Sequence, residues 1–251
     1  MDVDAHPHGS FCFAELNTAD MERDKRFYRG LLGWDVFDVP SAGGSYSLFR
    51  LRGRDAAGLH LSAKGPHGWL LYAAVDDADA SVARGRQLGA SIEADPFDVP
   101  GVGRMAMLRD PADARVALWQ AAGHPGARVV DEPNALYFAE LLVHEVESAR
   151  RFYARLFGWT TTETKVPAGP YTLFKRGDQV VAGAIAIGAD WGPIEPHWQV
   201  YFQVTDCDAA TRRARDLGGS LYFGPFDVPN AGRLAGLTDE GGTVFVVMQP
   251  S

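Results

Sequence analysis

The stretch PFDVP stands twice in this chain, at Pro96–Pro100 and at Pro225–Pro229. Around it a whole pattern recurs. FYRGLLGW (Phe27–Trp34) returns as FYARLFGW (Phe152–Trp159), and FAEL (Phe13–Leu16) returns as FAEL (Phe138–Leu141). Tyr46, Phe49 and Gly58 return as Tyr171, Phe174 and Gly183, at a constant offset of 125 residues. From Trp69 and Trp198 onward the offset is 129, carrying Tyr72 to Tyr201, Arg104 to Arg233 and Asp110 to Asp239. A short insertion near Ala189–Pro193 accounts for the change. A chain built this way must fold as two similar units, and every later reading has to be made twice.

Bulk properties narrow the functions open to such a pair. The 251 residues suffice for two domains that each bury a core. A hydrophobic content of 46% with 22% charged residues is that of a globular protein. The formal charge of −8 opposes binding to nucleic acid or to an anionic membrane surface, both of which need a positive field. The start of the chain, MDVDAHPHGSF, lacks the basic and apolar regions of a signal peptide. The two cysteines, Cys12 and Cys207, fall at non-equivalent places, so no disulfide framework is expected and both read as buried filler. Together these point to the cytoplasm, and to a monomer or homodimer whose partner is a small molecule.

Each repeat contains a weaker repeat of itself. Phe11–Asn17 alternates like a strand, Asp20 suits an N-cap, and Met21–Leu32 carries apolar residues at helical spacing. Gly33 follows where a left-handed residue ends a helix. Strands are expected at Trp34–Val39, Tyr46–Leu51 and Ala57–Ala63. The second half runs the same way: a strand at Trp69–Val75, a helix at Ala78–Leu88, then strands at Ser91–Ala94, Gly103–Arg109 and Arg115–Gln120. The class is α+β, with the unit βαβββ used four times. The Gly- and Pro-containing segment around 122–132 reads as a linker between domains at 9–121 and 133–251. Units could pair within each repeat or be exchanged between repeats.

The strand–Asp–helix–FY–LGW pattern from Phe13 to Trp34, its copy from Phe138 to Trp159, and the endings Gly103–Gln120 and Gly232–Gln249 resemble the vicinal oxygen chelate superfamily. That superfamily includes glyoxalase I, extradiol dioxygenases and bleomycin-resistance proteins, and the chain is most similar to its two-domain, glyoxalase-like actinobacterial members. The resemblance implies tandem vicinal oxygen chelate domains, their four βαβββ units forming two cupped half-barrel sheets. It also implies where a divalent metal would sit, held by His, Glu or Gln on the first and last strands of each unit. Those positions fall at Phe13, Leu70 and Ala117 in one repeat, with His60 beside them. In the other they fall at Phe138, Gln199 and Val246, with Ile185. At most one donor per repeat remains where a divalent site needs three or more. No metal is expected, and the absence of nucleotide-binding glycine loops argues for no other cofactor.

Strand alternation says what shares those faces. Glu15 and Glu140 join Phe13 and Phe138; Tyr72 and Tyr201 join Leu70 and Gln199; Trp119 and Met248 join Ala117 and Val246. Each cup then holds a carboxylate and a phenol under apolar walls, the make-up of a small-molecule pocket. Glu15 with Tyr72, and Glu140 with Tyr201, could act as base and proton donor. They could equally form a structural bond closing the cup floor, and their retention in both repeats favours architecture. His60 is a candidate general base or a histidine hydrogen-bonded in place, whereas the other histidines read as solvated. Tyr46 and Tyr171 could close over a ligand or pack at the rim. Arg104 and Arg233 could clamp an anion or pair with Asp98 and Asp227. The leading expectation is metal-independent binding of a small hydrophobic or aromatic molecule, in antibiotic resistance or natural-product metabolism. The alternatives are a lyase, isomerase or hydroxylase-like enzyme using Glu, Tyr and His60, metal-dependent glyoxalase chemistry, and a pair of filled cups kept for protein interaction.

Overall fold

A computed structural model describes residues 1–40, 45–62, 65 and 67–251. The first repeat forms β1 (Phe11–Thr18), α1 (Met21–Leu32), β2 (Asp35–Val39), β3 (Tyr46–Leu51), β4 (Arg54–Leu61), β5 (Gly68–Ala74), α2 (Ala78–Gln87), β6 (Ser91–Val99), β7 (Gly103–Arg109) and β8 (Arg115–Ala121). The second forms β9 (Leu136–Val143), α3 (Val146–Phe157), β10 (Thr160–Val166), β11 (Gly169–Arg176), β12 (Gln179–Ala186), β13 (His197–Gln203), α4 (Cys207–Asp216), β14 (Ser220–Val228), β15 (Gly232–Thr238) and β16 (Val244–Pro250). Each repeat builds its own eight-stranded sheet, in the orders β2-β3-β4-β1-β5-β8-β7-β6 and β10-β11-β12-β9-β13-β16-β15-β14. The two units of a repeat therefore pair with each other, joined antiparallel through β1 and β5 or through β9 and β13.

The helices form where the sequence supplies both a cap and a face. Asp20 accepts from Arg23 N at 3.0 Å, and Gly33 takes a φ of 67° to end α1. Met21, Asp24, Phe27, Tyr28 and Leu32 fall on one side of α1 and are buried. The expected β6, Ser91–Ala94, runs on to Val99, so PFDVP is the end of a strand. It can hold prolines because β6 and β14 are sheet edges, bent by register shifts on either side of Ala94 and Phe223. β4 begins at Arg54, three residues before its expected start; Ala63, at its expected end, lies outside the described residues.

The helical faces meet between the repeats, with α1 on α4 and α2 on α3. Two matching hydrogen-bond chains cross there. Trp69 Nε1 donates to Tyr28 Oη (3.0 Å), which donates to Asp239 of the other repeat (3.0 Å). Trp198 Nε1 donates to Tyr153 Oη (2.8 Å), which donates to Asp110 (2.9 Å). Trp34 and Trp159, expected to pack helix onto sheet, also reach across, to Asn134 O (2.7 Å) and Gly9 O (3.0 Å). One apolar core runs through both repeats as a result.

The segment read as a linker is packed rather than free. Ala127 and Val129 are fully buried, and Ala127 N and Arg128 N bond to Cys12 O and Asp55 O. This corrects the reading of two histidines as solvated. His124 Nε2 lies 3.1 Å from Asp55 Oδ2, and His6 Nε2 lies 2.7 Å from Ala127 O, where burial lowers the His6 pKa.

Candidate functional site

The concave face of each sheet carries the residues that alternation placed there. In the first sheet Phe13 stands opposite Tyr72, and Tyr72 beside Ala117. Glu15 lies between Leu70 and Gly58, and Asn17 between Gly68 and His60. Tyr46 stands opposite His60 on the neighbouring strand. In the second sheet the same lattice sets Phe138 against Tyr201 and Val246, and Glu140 between Gln199 and Gly183. There Leu142 and Ile185 occupy the places of Asn17 and His60. Trp119 and Met248 stand on the far wall opposite Met105 and Leu234.

The carboxylate at the floor explains why Tyr46, Gly58 and their copies recur. Tyr171 Oη donates to Glu140 Oε1 (2.7 Å), and Tyr201 Oη donates to Glu140 Oε2 (2.6 Å). Tyr171 reaches that carboxylate by crossing over Gly183, where a Cβ would lie 1.9 Å from its hydroxyl. A Cβ at Gly58 would lie 2.4 Å from the Tyr46 hydroxyl. Only a residue without a side chain leaves the passage open. The second cup thus holds a Glu140–Tyr201 bond, with Tyr171, left open between closing over a ligand and packing at the rim, as a second phenol.

Burial raises the pKa of Glu140 above the usual carboxylate value, and the two phenols pull it part of the way back. A carboxyl whose pKa rises on folding supports the fold in its protonated form. That support is complete below its ordinary value of about 4.5 and fades as pH climbs through the raised value. Glu140→Gln keeps the shape and can still exchange hydrogen bonds with both phenols. We expect its urea midpoint to exceed that of the parent at pH 8, with the difference closing by about pH 4.5.

The first cup departs from this closed arrangement. Burial again raises the pKa of Glu15, opposed by the nearby His60, Tyr46, Tyr72 and Asn17 side chains. His60 Nδ1 lies 3.1 Å from Asn17 Oδ1. The walls are aromatic: Phe13 meets Tyr72 edge-on at 5.9 Å, and Tyr72 meets Trp119 at 6.3 Å. The linker closes one end, where His124 O accepts from Trp119 Nε1 (2.9 Å) and the His124 ring meets Phe13 at 5.7 Å. Two phenylalanines that sequence reasoning missed stand on the opposite outer walls. Phe37 pairs through Leu48 with Gly58, Phe97 pairs through Met105 with Trp119, and they are 47% and 43% exposed. Large apolar rings left that open on a concave face are a binding signal. The second cup keeps Phe226, at 39%, but has Thr162 where the first has Phe37.

Other candidates are committed elsewhere. Gln199 is buried, its amide donating to Val200 O (3.3 Å) and Val244 O (3.4 Å). His197, read as solvated, instead lies 3.3 Å from the Gln199 Oε1. Arg104 takes the salt-bridge reading: it grips Asp79 with two bonds (2.7 and 3.0 Å) as well as Asp98 (2.8 Å). Arg233 does the same with Asp208 and Asp227. A cavity of about 560 Å³ between α1 and the β2–β3 hairpin touches the cup residues only at Tyr46. Its polar wall is self-paired, Lys25 bonding Asp38 (2.8 Å) and Glu22 (2.9 Å).

The model of the Glyoxalase/Bleomycin resistance protein/Dioxygenase superfamily matches residues 11–118 and again 135–247. The chain belongs to this superfamily. Over 247 residues it is 37% identical to "Putative glyoxylase CFP32" of Mycobacterium tuberculosis, covering 95% of this chain and 94% of that one. Over 259 residues it is 36% identical to the anthracycline biosynthesis protein DnrV of Streptomyces peucetius, covering 96% and 93%. Its fold is similar to that of the Mn(II)-bound glyoxalase from Novosphingobium aromaticivorans, with a TM-score of 0.68 at 15% identity, covering 96% of this chain and 82% of that one. No helix among the described residues is long and apolar enough to cross a membrane.

The superfamily implies a divalent metal, and the donors here do not fit one. Phe13, Leu70 and Ala117 face the first cup where ligands would stand, and Phe138 and Val246 face the second. Among the described residues no three His, Cys, Asp or Glu side chains are grouped as an ion would require.

Proposed function

We propose that this protein binds a small, largely aromatic organic molecule in its first cup, without a metal. The observation that carries the reading is the pair of open phenylalanines, Phe37 and Phe97, on opposite walls above a polar floor. Flat apolar walls with a few convergent polar groups suit a planar ring system. The relative named for anthracycline biosynthesis supports a setting in natural-product metabolism. The misfit of the donor set to a divalent ion supports metal independence. The second cup serves as scaffold in this reading, its carboxylate held by two phenols and its neighbours Leu142 and Ile185 apolar. A calorimetric titration of 2-naphthol into chelator-dialysed protein tests the reading. We expect one site per chain; no binding up to the solubility limit would refute it.

A further inference from the structure

Asn17 is the residue that most separates the two cups. It lies two positions beyond Glu15 on β1, so both side chains leave the same face of the strand. The parallel pairing of β1 with β4 sets Asn17 beside His60. Its Oδ1 is 3.1 Å from His60 Nδ1. An amide oxygen can only accept, so Nδ1 carries the ring proton. When the ring is neutral, its lone pair is then at Nε2. In the second cup the places of Asn17 and His60 are held by Leu142 and Ile185, and no such pair can form.

We propose that the Asn17–His60 pair makes the first cup selective for an aromatic ligand bearing a hydroxyl group, whose O–H donates to Nε2 of the neutral His60 ring. This rests on the aromatic-binding reading and names the chemistry that reading leaves open. The other polar side chains of the floor, Tyr46, Tyr72 and Asn17, lie around Glu15. What the pair offers a ligand is an acceptor, and an acceptor selects a donor. A ligand without one would leave the half-buried imidazole nitrogen unpaired, which is how a site built for a hydroxyl rejects its isostere. Asn17 acts here as a positioning residue, fixing the tautomer that leaves Nε2 as acceptor.

The test compares 2-naphthol with 2-methoxynaphthalene, which has the same ring system but no donor. The parent protein should bind 2-naphthol roughly tenfold or more tightly than the ether. His60→Ile and Asn17→Leu, each installing the residue of the other repeat, should bring the ratio to about 1 while keeping the affinity for the ether. Loss of the ratio in Asn17→Leu is informative because His60 is still present, and a purely structural role would weaken both ligands alike. Thermal melting checks that each variant is folded. Equal binding of both compounds by the parent, or an unchanged ratio in His60→Ile, would overturn the inference and leave aromatic binding standing. Failure of both compounds to bind would overturn both.

Discussion

Asp239→Ala should cost on the order of 2–4 kcal/mol of stability, the largest loss expected from any single substitution outside the apolar core. Asp239 is buried in the turn between β15 and β16, where Oδ1 accepts from Gly241 N and Thr243 N (both 2.9 Å). Its other oxygen accepts from Tyr28 of the first repeat. Alanine would strand a fully buried tyrosine hydroxyl and two turn amides at once. Burial raises the pKa of Asp239, so its value to the fold lies in accepting hydrogen bonds rather than in its charge. Asp239→Asn should therefore cost clearly less, about 1 kcal/mol. Tyr28→Phe removes the donor as well as the bond and should fall between the two. Urea denaturation checks the order, and Asp110→Ala should behave as Asp239→Ala does, since Asp110 accepts from Ala112 N, Ala114 N and Tyr153. A loss below about 0.5 kcal/mol in both alanine variants would mean that the crossed chains do not hold the repeats together.

The double substitution Phe37→Thr with Phe97→Ser should weaken 2-naphthol binding between fivefold and a hundredfold, corresponding to about 1–3 kcal/mol for two aromatic contacts. Both rings are more than two-fifths exposed, so neither supports much of the core, and the melting temperature should barely move. Phe37 also carries the Arg50 guanidinium 4.1 Å above its ring, a contact at an exposed position worth little to the fold. Threonine is what the second repeat uses at the equivalent place, Thr162, within the same strand context. Phe226→Ser, in the second cup, is the control and should leave the affinity unchanged. Equal weakening by Phe226→Ser would place the site in the other cup.

Much of the fold was legible because duplication lets each element be read twice. The ends of α1 followed from Asp20 and Gly33, and β3 and β7 from alternation bounded by turns. The two prolines of PFDVP suit an edge or bend, and β6 is an edge, but the continuation of β6 from Ala94 through Pro96 to Val99 was not legible. The site was legible in part for the same reason. Alternation put Glu15, Tyr72, Glu140 and Tyr201 on the concave faces, but which groups meet there depends on register across strands. Tyr171 crossing Gly183 to reach Glu140, and Asn17 bridging toward His60, need the β11–β12 and β1–β4 pairings. The repeated Gly58 and Gly183 were the available signal for the first, and the Asn17 to Leu142 difference for the second. His124 and the packed linker had no periodic signal at all, because their order comes from covering the first cup rather than from any local pattern.

The central claim is that the first cup binds its ligand without a metal ion, and calorimetry of 2-naphthol on one protein sample split in two tests it most directly. One half is dialysed against a chelator and the other is supplied with excess Mn(II), the ion held by the structurally similar glyoxalase. The expected result is the same affinity and one site per chain in both halves. Binding that appears only with Mn(II), together with about one ion retained per chain after desalting, would contradict the account.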